Sequence, residues 1–202
     1  MKAVSLLILV RHGQSTWNAK KLFTGWTDVE LTDQGVIEAV NAGKLLCDID
    51  FDFIYTSKLK RAQKTAEIII QCNSKSKNVK IIKDYRLNER HYGDLQGVNH
   101  DVAREKFGAE QIQIWRRSFD IPPPNGESLK MTSERTIPCL EEEIIPELTT
   151  GKNILVVAHG NSLRSIVMKI EDISKEDIVK LEIPTGKPIS YSFENNSFIF
   201  QK

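Results

Sequence analysis

Arg11-His12-Gly13-Gln14-Ser15 directly follows a run from Val4 to Val10 that is apolar except for Ser5. Such a run is typical of a central strand of a parallel sheet, because that strand is buried on both faces. A second apolar run, at residues 153–158, leads in the same way into His159-Gly160-Asn161-Ser162. Ligands bind at the carboxyl ends of such strands. The repetition therefore predicts two histidines and two glycine turns at one edge of a sheet.

A histidine at a strand end is a candidate nucleophile. The neutral imidazole ring is nucleophilic near neutral pH and can carry a phosphoryl group on one nitrogen. An adjacent arginine supplies charge for the phosphoryl oxygens, and glycine lets backbone N–H groups approach them. For either motif alone, the alternative is a histidine that merely ends a strand. The pairing of His12 with His159 favours the chemical interpretation.

Composition favours one domain with a local anion site. The chain has 202 residues and a formal net charge of +1, which argues against the broad basic surface of a nucleic-acid-binding protein. No apolar run approaches membrane-spanning length. The cysteines Cys47, Cys72 and Cys139 lack metal-like spacing and fall in predicted helices. They indicate reduced, buried thiols in a cytoplasmic protein. From the net charge and the lengths of the apolar runs, we expect neither nucleic-acid nor membrane partners.

Strand and helix patterns alternate along the chain and predict an α/β fold. We expect a three-layer α/β/α sandwich with a mostly parallel central sheet and helices on both faces, formed by residues 1–202 as a single domain. Besides the two apolar runs, strands are predicted at residues 51–55, 79–82, 189–193 and 197–201, the last two as a hairpin. Helices are predicted at residues 32–47, 58–71, 101–107, 110–117, 127–148 and 161–170. Residues 73–78 are predicted to form a polar turn.

Arginines near the predicted strand ends are candidate phosphoryl-binding groups. Arg11 is adjacent to His12, and Arg61 begins a helix just beyond another strand. Arg116 and Arg117 form either an anion-binding pair or a solvated helix end. A helix N-terminus binds phosphate readily. We therefore expect the backbone N–H groups that follow His159 to contribute to the same site.

A reaction at a phosphorylated histidine also needs a carboxyl group that donates and accepts a proton. Glu89 is our candidate because it lies in a polar, glycine-punctuated loop at residues 86–97, and such loops often carry function. Asp28, Glu30 and Asp94 are rivals. A zinc site built from the four histidines lacks the spacing typical of zinc ligands. No metal is therefore expected.

From Leu7 to about Gly186, the chain resembles the cofactor-dependent phosphoglycerate mutases of the histidine phosphatase superfamily. The segments that carry the resemblance are residues 9–18, 23–26, 55–57, 60–62, 87–93, 115–117 and 158–164. The Arg-His-Gly element identifies only the superfamily. The Asn-Glu-Arg-His-Tyr-Gly loop together with Trp-Arg-Arg is more specific to mutases.

The resemblance implies a phosphoglycerate mutase-like fold and a ping-pong interconversion of 3-phosphoglycerate and 2-phosphoglycerate in glycolysis and gluconeogenesis. It also implies that 2,3-bisphosphoglycerate primes the enzyme and that no metal is needed. His12 would be the phosphorylated nucleophile and Glu89 the proton donor and acceptor. His159, Arg11 and Arg61 would hold the transferred phosphoryl group. The implied substrate-binding residues are Asn18, Thr24, Gly25, Arg90, Tyr92, His100, Arg116, Arg117, Gly160 and Asn161.

Three departures from the mutase pattern bear on these expectations. His100 stands where mutases usually have lysine, which predicts a weaker substrate cation that depends on pH. The insertion that longer members carry between Pro124 and Gly126 is absent, as is their long C-terminal tail. That tail covers the site, and a cover matters because water competes for a phosphohistidine. Homo-oligomerisation stays open.

The alternative function is a phosphatase that passes the phosphoryl group from His12 to water. Arg116, Arg117 and the Glu89 loop argue against it, because a broad phosphatase has less need of a dedicated carboxylate-binding pair. A non-catalytic phospholigand-binding module is a further alternative. It does not explain why both histidines and Glu89 are retained.

Overall fold

The computed structural model describes residues 4–76 and 78–201. Its centre is a sheet of six strands in the order β3-β2-β4-β1-β5-β6. The strands β1 to β4 pair in parallel, whereas β5 and β6 are antiparallel, which confirms the mostly parallel sheet. The strand bounds are β1 Ser5–Arg11, β2 Phe53–Thr56, β3 Ile81–Lys83, β4 Ile154–Ala158, β5 Pro188–Glu194 and β6 Ser197–Gln201.

The predicted helices are present, with shifts of a few residues at their ends. Short 3₁₀ turns at Tyr85–Leu87 and Gly93–Leu95 lie within the loop that contains Glu89. The helix bounds are α1 Thr16–Ala19, α2 Asp33–Leu45, α3 Lys60–Cys72, α4 His100–Phe107, α5 Ala109–Arg117, α6 Leu129–Cys139, α7 Ile145–Thr149, α8 Gly160–Glu171 and α9 Lys175–Ile178.

Helices cover both faces of the sheet, as expected. Ile8 and Val10 of β1 pack with α2 and α3 on one face. Leu7 and Leu9 pack on the other face with α6, α7 and α8. Because successive side chains of a strand point to opposite faces, an apolar run without alternation requires a helical layer on each side. The result is the predicted α/β/α sandwich.

The register of β1 against β4 brings the two histidine motifs together. Arg11 is the partner of Ala158 in the parallel ladder. The next backbone N–H, that of His12, donates to the Ala158 carbonyl at 3.0 Å. His159 follows Ala158 directly, so both histidines leave the sheet side by side.

The predicted C-terminal hairpin is confirmed, with Asn195 and Asn196 between β5 and β6. Both residues have positive φ angles, 52° and 61°. Two consecutive positive φ values are typical of the type I′ turn that favours tight hairpins, and asparagine tolerates them better than most residues.

Two details differ from the sequence interpretation. The predicted single helix at residues 127–148 is divided, because a π-helical segment, Leu140–Ile144, joins α6, which contains Pro138, to α7. Cys47 lies beyond the end of α2, and only Cys139 is fully buried. Lys77, in the predicted turn, lies outside the described residues.

The turn after β1 packs backbone to backbone on the first turn of α2. A Cβ atom added to Gly13 would lie 2.1 Å from the Gly35 carbonyl oxygen, and one added to Gly35 would lie 2.1 Å from the Gln14 carbonyl oxygen. The Thr32 hydroxyl caps α2 by accepting from the Gly35 N–H at 3.0 Å. Glycine is therefore required at both positions by the close approach of two main chains.

We predict that Gly35→Ala lowers the free energy of unfolding by about 1–3 kcal/mol, because the methyl group overpacks this contact. Alanine in an ordinary helix position would instead stabilise by up to about 1 kcal/mol. Urea unfolding measures the difference. The exposed neighbour Gln34→Ala is the control and should stay within about 0.5 kcal/mol of wild type. A Gly35→Ala variant as stable as wild type would contradict the packing argument.

Candidate active site

His12 is buried at the end of β1 and presents one ring nitrogen to an arginine. Its Nδ1 donates to the Gly13 carbonyl at 2.7 Å. A carbonyl only accepts, so the ring proton resides on Nδ1, and Nε2 keeps its lone pair. That Nε2 accepts from Arg61 Nε at 3.2 Å. Burial, followed by the charges of Arg61 and Arg11, holds the pKa of His12 well below its usual value of 6.5, so the ring is neutral near pH 7.

His159 lies next to His12, with the ring centroids 4.9 Å apart. The Ser57 hydroxyl is 2.7 Å from His159 Nε2, and the Ser162 hydroxyl accepts from the His159 N–H at 3.1 Å. Burial, then the charge of Arg61, lowers the pKa of His159 well below 6.5. Within the described residues, its Nδ1 is buried without a hydrogen-bond partner.

Arg61 and Arg11 are the cations closest to the histidine pair. The guanidinium of Arg61 also donates to the carbonyl oxygens of Gly25 at 2.8 Å and Thr27 at 3.0 Å. Burial lowers the pKa of Arg61 to about 10, which leaves it charged at neutral pH. Arg11 donates from Nη1 to the Ile183 carbonyl at 2.9 Å, and its buried Nε has no partner in the described part of the chain.

Glu89 reaches the same site with one carboxylate oxygen held and the other directed toward Gly160. Oε1 accepts from the backbone N–H groups of Arg90 at 2.8 Å and Asn161 at 3.0 Å. A Cβ atom added to Gly160 would lie 3.7 Å from Glu89 Oε2 and 3.6 Å from Arg11 Cζ. The Asn161 N–H, which we expected to bind phosphate, thus orients the carboxylate instead.

A partly buried ion pair, Arg135 with Glu127, holds the main chain of the Glu89 loop. Arg135 donates to the carbonyl oxygens of Arg86, Asn88 and Glu89 at 2.8 to 2.9 Å. Its other bonds go to the Glu127 carboxylate, at 2.9 and 2.8 Å. A guanidinium has five N–H donors, and all five are used here. The main chain of the loop is therefore fixed up to Glu89 itself.

These groups border a cavity at the carboxyl edge of the sheet that is rich in positive charge. Five arginines and two glutamates line it. The expected site residues that line the cavity are Arg11, His12, Asn18, Thr24, Gly25, Arg61, Glu89, Tyr92, His100, Arg116, Arg117, Gly160 and Asn161. The others are buried directly next to lining residues, His159 against His12 and Arg90 against Tyr92.

A sequence model of the histidine phosphatase superfamily (branch 1) matches residues 7–202. The chain belongs to the histidine phosphatase superfamily. A 2,3-bisphosphoglycerate-dependent phosphoglycerate mutase of Parvibaculum lavamentivorans is 52% identical over 200 residues, covering 98% of this chain and 95% of the relative. A phosphoglycerate mutase of Schizosaccharomyces pombe is 50% identical over 196 residues, covering 96% and 92%. The predicted resemblance is thereby confirmed.

Solved structures of the same fold are more distant in sequence. Bacillus stearothermophilus YhfR superposes with a TM-score of 0.86 at 26% identity, covering 97% of this chain and 95% of that one. The alpha-ribazole phosphatase from Shigella flexneri superposes with a TM-score of 0.84 at 25% identity, covering 97% and 94%. The predicted fold is confirmed by these neighbours.

Arg90 and Tyr92 form a stacked pair at the cavity of this superfamily member. The guanidinium carbon of Arg90 lies 4.6 Å from the centroid of the Tyr92 ring. The Tyr92 hydroxyl accepts from Asn161 Nδ2 at 3.3 Å. Arg90, only 1% exposed, supports the cavity from behind, whereas Tyr92 forms part of its wall.

His100 lines the cavity but is not the cation that we expected. Its ring packs on Phe23, with the centroids 4.2 Å apart. Burial, then the charges of Arg116 and Arg104, lowers the pKa of His100 to about 4. In this environment the ring is neutral throughout the physiological pH range.

The sequence interpretation assigned no role to several groups at the site. Arg164 and Glu182 line the cavity, Ser57 contacts His159, and Arg135 holds the Glu89 loop. Ser57 and Arg164 lie inside motifs that carried the resemblance, which was the available signal. Arg135 and Glu182 lie outside those motifs.

The described residues contain no group of three or more histidine, cysteine or acidic side chains arranged to hold a metal ion. Among the helices at residues 4–76 and 78–201, none has the length and apolar character needed to cross a membrane.

We predict that the protein loses stability as the pH falls below about 6.5, the ordinary pKa of histidine. The pKa values of His12 and His159 are depressed in the folded state, so the unfolded chain binds more protons in this range. Each histidine then contributes a slope of up to about 1.4 kcal/mol per pH unit. Urea unfolding between about pH 7 and pH 5.5 measures it. A His12→Asn variant should show a shallower dependence, and a flat wild-type profile would contradict the assignment.

Proposed function

We propose that this chain interconverts 3-phosphoglycerate and 2-phosphoglycerate through a phosphohistidine on His12, primed by 2,3-bisphosphoglycerate. The observation that carries the proposal is that a neutral His12 and the Glu89 carboxylate line one arginine-rich cavity, with the second histidine, His159, packed against His12. The names of relatives at about half identity over nearly the whole chain support the same reaction.

The nucleophile is His12 Nε2. Because Nδ1 is held by the Gly13 carbonyl, the lone pair of Nε2 attacks the phosphorus of 2,3-bisphosphoglycerate, and the P–O bond to the glycerate breaks as the N–P bond forms. In the next step the 2-hydroxyl oxygen of 3-phosphoglycerate attacks that phosphorus, and the N–P bond breaks. The bisphosphate then reorients and returns its 3-phosphoryl group to His12.

Glu89 moves the proton in each half-reaction. Its Oε1 is held by the N–H groups of Arg90 and Asn161, so Oε2 accepts the hydroxyl proton when the phosphoryl group leaves His12. The same oxygen returns the proton to the glycerate oxygen when the second phosphoryl group is taken up. General acid–base catalysis of this kind typically contributes 10²–10⁴-fold in rate.

Charge on the transferred group is stabilised by Arg61, Arg11 and His159. Fixed cations in a site shielded from water stabilise the developing charge more strongly than they would in water. Arg61 cannot relax away, because carbonyl oxygens of residues 25 and 27 hold its other nitrogens. Nδ1 of His159 and Nε of Arg11, both buried without partners in the described residues, supply further contacts for phosphoryl oxygens.

The remaining cavity residues bind the part of the substrate that does not react. Arg116 and Arg117 would bind the carboxylate or the second phosphate, since guanidinium groups pair with both. Asn18, Thr24, Gly25, Tyr92 and Gly160 contribute hydrogen bonds and shape. The proposal places the reaction in one catalytic domain in the cytoplasm, in agreement with three free thiols.

A phosphatase is the second candidate, because structural neighbours at about 25% identity include a phosphatase. It would use the same phosphohistidine with water as the acceptor. Identity to the mutase relatives is about twice as high, and a paired arginine binding site suits an acceptor that carries its own anions. The mutase is therefore the stronger candidate.

The first test is ³¹P NMR of the purified protein with 3-phosphoglycerate and a chelator, with and without catalytic 2,3-bisphosphoglycerate. We expect 2-phosphoglycerate after priming. His12→Ala should abolish both the phosphoenzyme and the isomerisation, because the variant lacks the Nε2 nitrogen that lies beside Arg61 and receives the phosphoryl group. Free phosphate as the main product would show that the protein is a phosphatase and not a mutase. An undiminished isomerisation rate in His12→Ala would refute the mechanism.

A second prediction concerns the proton-transferring carboxyl group. Glu89→Gln keeps the shape of the side chain but cannot accept the hydroxyl proton, so kcat should fall by about 10²-fold or more. Glu30→Gln is the matched control, because Glu30 was a rival candidate and its side chain is 67% exposed. Steady-state assays with a coupled enolase readout should find the control within about twofold of wild type. Equal activity of the two variants would remove Glu89 from the mechanism.

A further inference from the structure

The loop at residues 179–187, between α9 and β5, is attached to the cavity by three arginines. Alternate carbonyl oxygens of the loop accept their hydrogen bonds. Arg117 donates to Val179 at 3.0 Å, Arg164 to Leu181 at 2.6 Å, and Arg11 to Ile183 at 2.9 Å. The main chain of the loop thus orients all three arginines.

Glu182 is the loop side chain that lies between two of these arginines. One carboxylate oxygen pairs with Arg117 Nη2. The other lies 3.4 Å from Arg164 Nη2. Arg164 also donates to Asn161 Oδ1 at 3.1 Å, so its position does not depend on the carboxylate. All four side chains line the cavity.

The two guanidinium groups need an anion between them. Burial, followed by the positive charge of Arg117, lowers the pKa of Arg164, so the charged form of Arg164 is opposed by its surroundings. A carboxylate between the two groups offsets that repulsion. The attachment of Glu182 is nevertheless weak, because its side chain is 64% exposed and surface ion pairs contribute little. A ligand anion with more charge and more contacts can take its place.

We infer that Arg164 is an anion-binding residue of the cavity and that Glu182 is an internal counter-anion, which the non-reacting carboxylate or phosphate of the substrate displaces. The inference rests on the proposed function for the identity of that substrate. The reacting phosphoryl group has its own cations, Arg11 and Arg61, beside His12. Arg117 and Arg164 therefore serve the opposite end of the molecule.

This arrangement sets the affinity for phosphoglycerates. Glu182 occupies the two arginines in the unliganded protein, and the substrate must displace it in order to bind. This competition raises the dissociation constant of the substrate. The competition penalises weakly charged ligands most, because they cannot replace the carboxylate. Glu182 is thereby a specificity-determining residue that favours phosphoglycerates over monoanions.

Isothermal titration of 3-phosphoglycerate into the unphosphorylated full-length protein tests the inference. Glu182→Gln removes the competing charge and should lower the dissociation constant by about two- to fivefold. Glu176→Gln is the matched control, an exposed carboxylate on α9 whose removal changes net charge equally. It should leave the dissociation constant unchanged.

Arg164→Lys provides an independent measurement. It keeps the charge but loses the forked donor geometry, so binding of 3-phosphoglycerate should weaken severalfold, with folding checked by thermal unfolding. Glu182→Gln remains informative if Arg164→Lys does not fold. Wild-type affinity in both variants would overturn the inference while leaving the proposed function intact. Failure of the wild-type protein to bind 3-phosphoglycerate would instead refute the proposed function.

Discussion

The hydrogen bond from the His12 N–H to the Ala158 carbonyl is the contact on which the site depends. It is the last hydrogen bond of the parallel ladder between β1 and β4, and the two buried strands end side by side at this point. A shift of the pairing by one residue would reverse which side chains face each helical layer, so the apolar runs themselves enforce the register. The side chains of Leu7 and Ile8 that fill the core thus determine where the two imidazoles emerge. The register of β1 against β4 therefore determines both the core packing and the geometry of the site.

The positive charges around the histidine pair keep both imidazole rings neutral while no phosphoryl group is bound. Arg61 is almost fully buried, and its charge opposes protonation of both rings. The same charge favours a dianionic phosphoryl group on His12. One fixed cation therefore keeps the nucleophile unprotonated and stabilises the product of its reaction. Glu89, held by two backbone N–H groups, supplies the mobile proton that the histidines do not carry.

Sequence patterns predicted the sheet, its helical layers and the convergence of His12 with His159, because apolar periodicity and strand-end geometry are local signals. They did not predict the charge state of His100, since the pKa of that ring depends on burial against Phe23 and on arginines from other elements. The sequence patterns also did not predict that Glu182 lies at the site. Its contacts join a loop to two helices, and no motif marks such a meeting.

The central position of β1 has a consequence for how the chain acquires its structure. Leu7 pairs with Ile154 on one side and with Tyr191 on the other, so the N-terminal strand can be enclosed only after nearly all of the chain has left the ribosome. Contacts between residues so far apart in sequence form slowly, because a long loop must close before they stabilise the fold. During synthesis this apolar strand stays exposed to solvent, which makes incomplete chains prone to aggregation. Catalytic competence therefore arrives last, with the final strands.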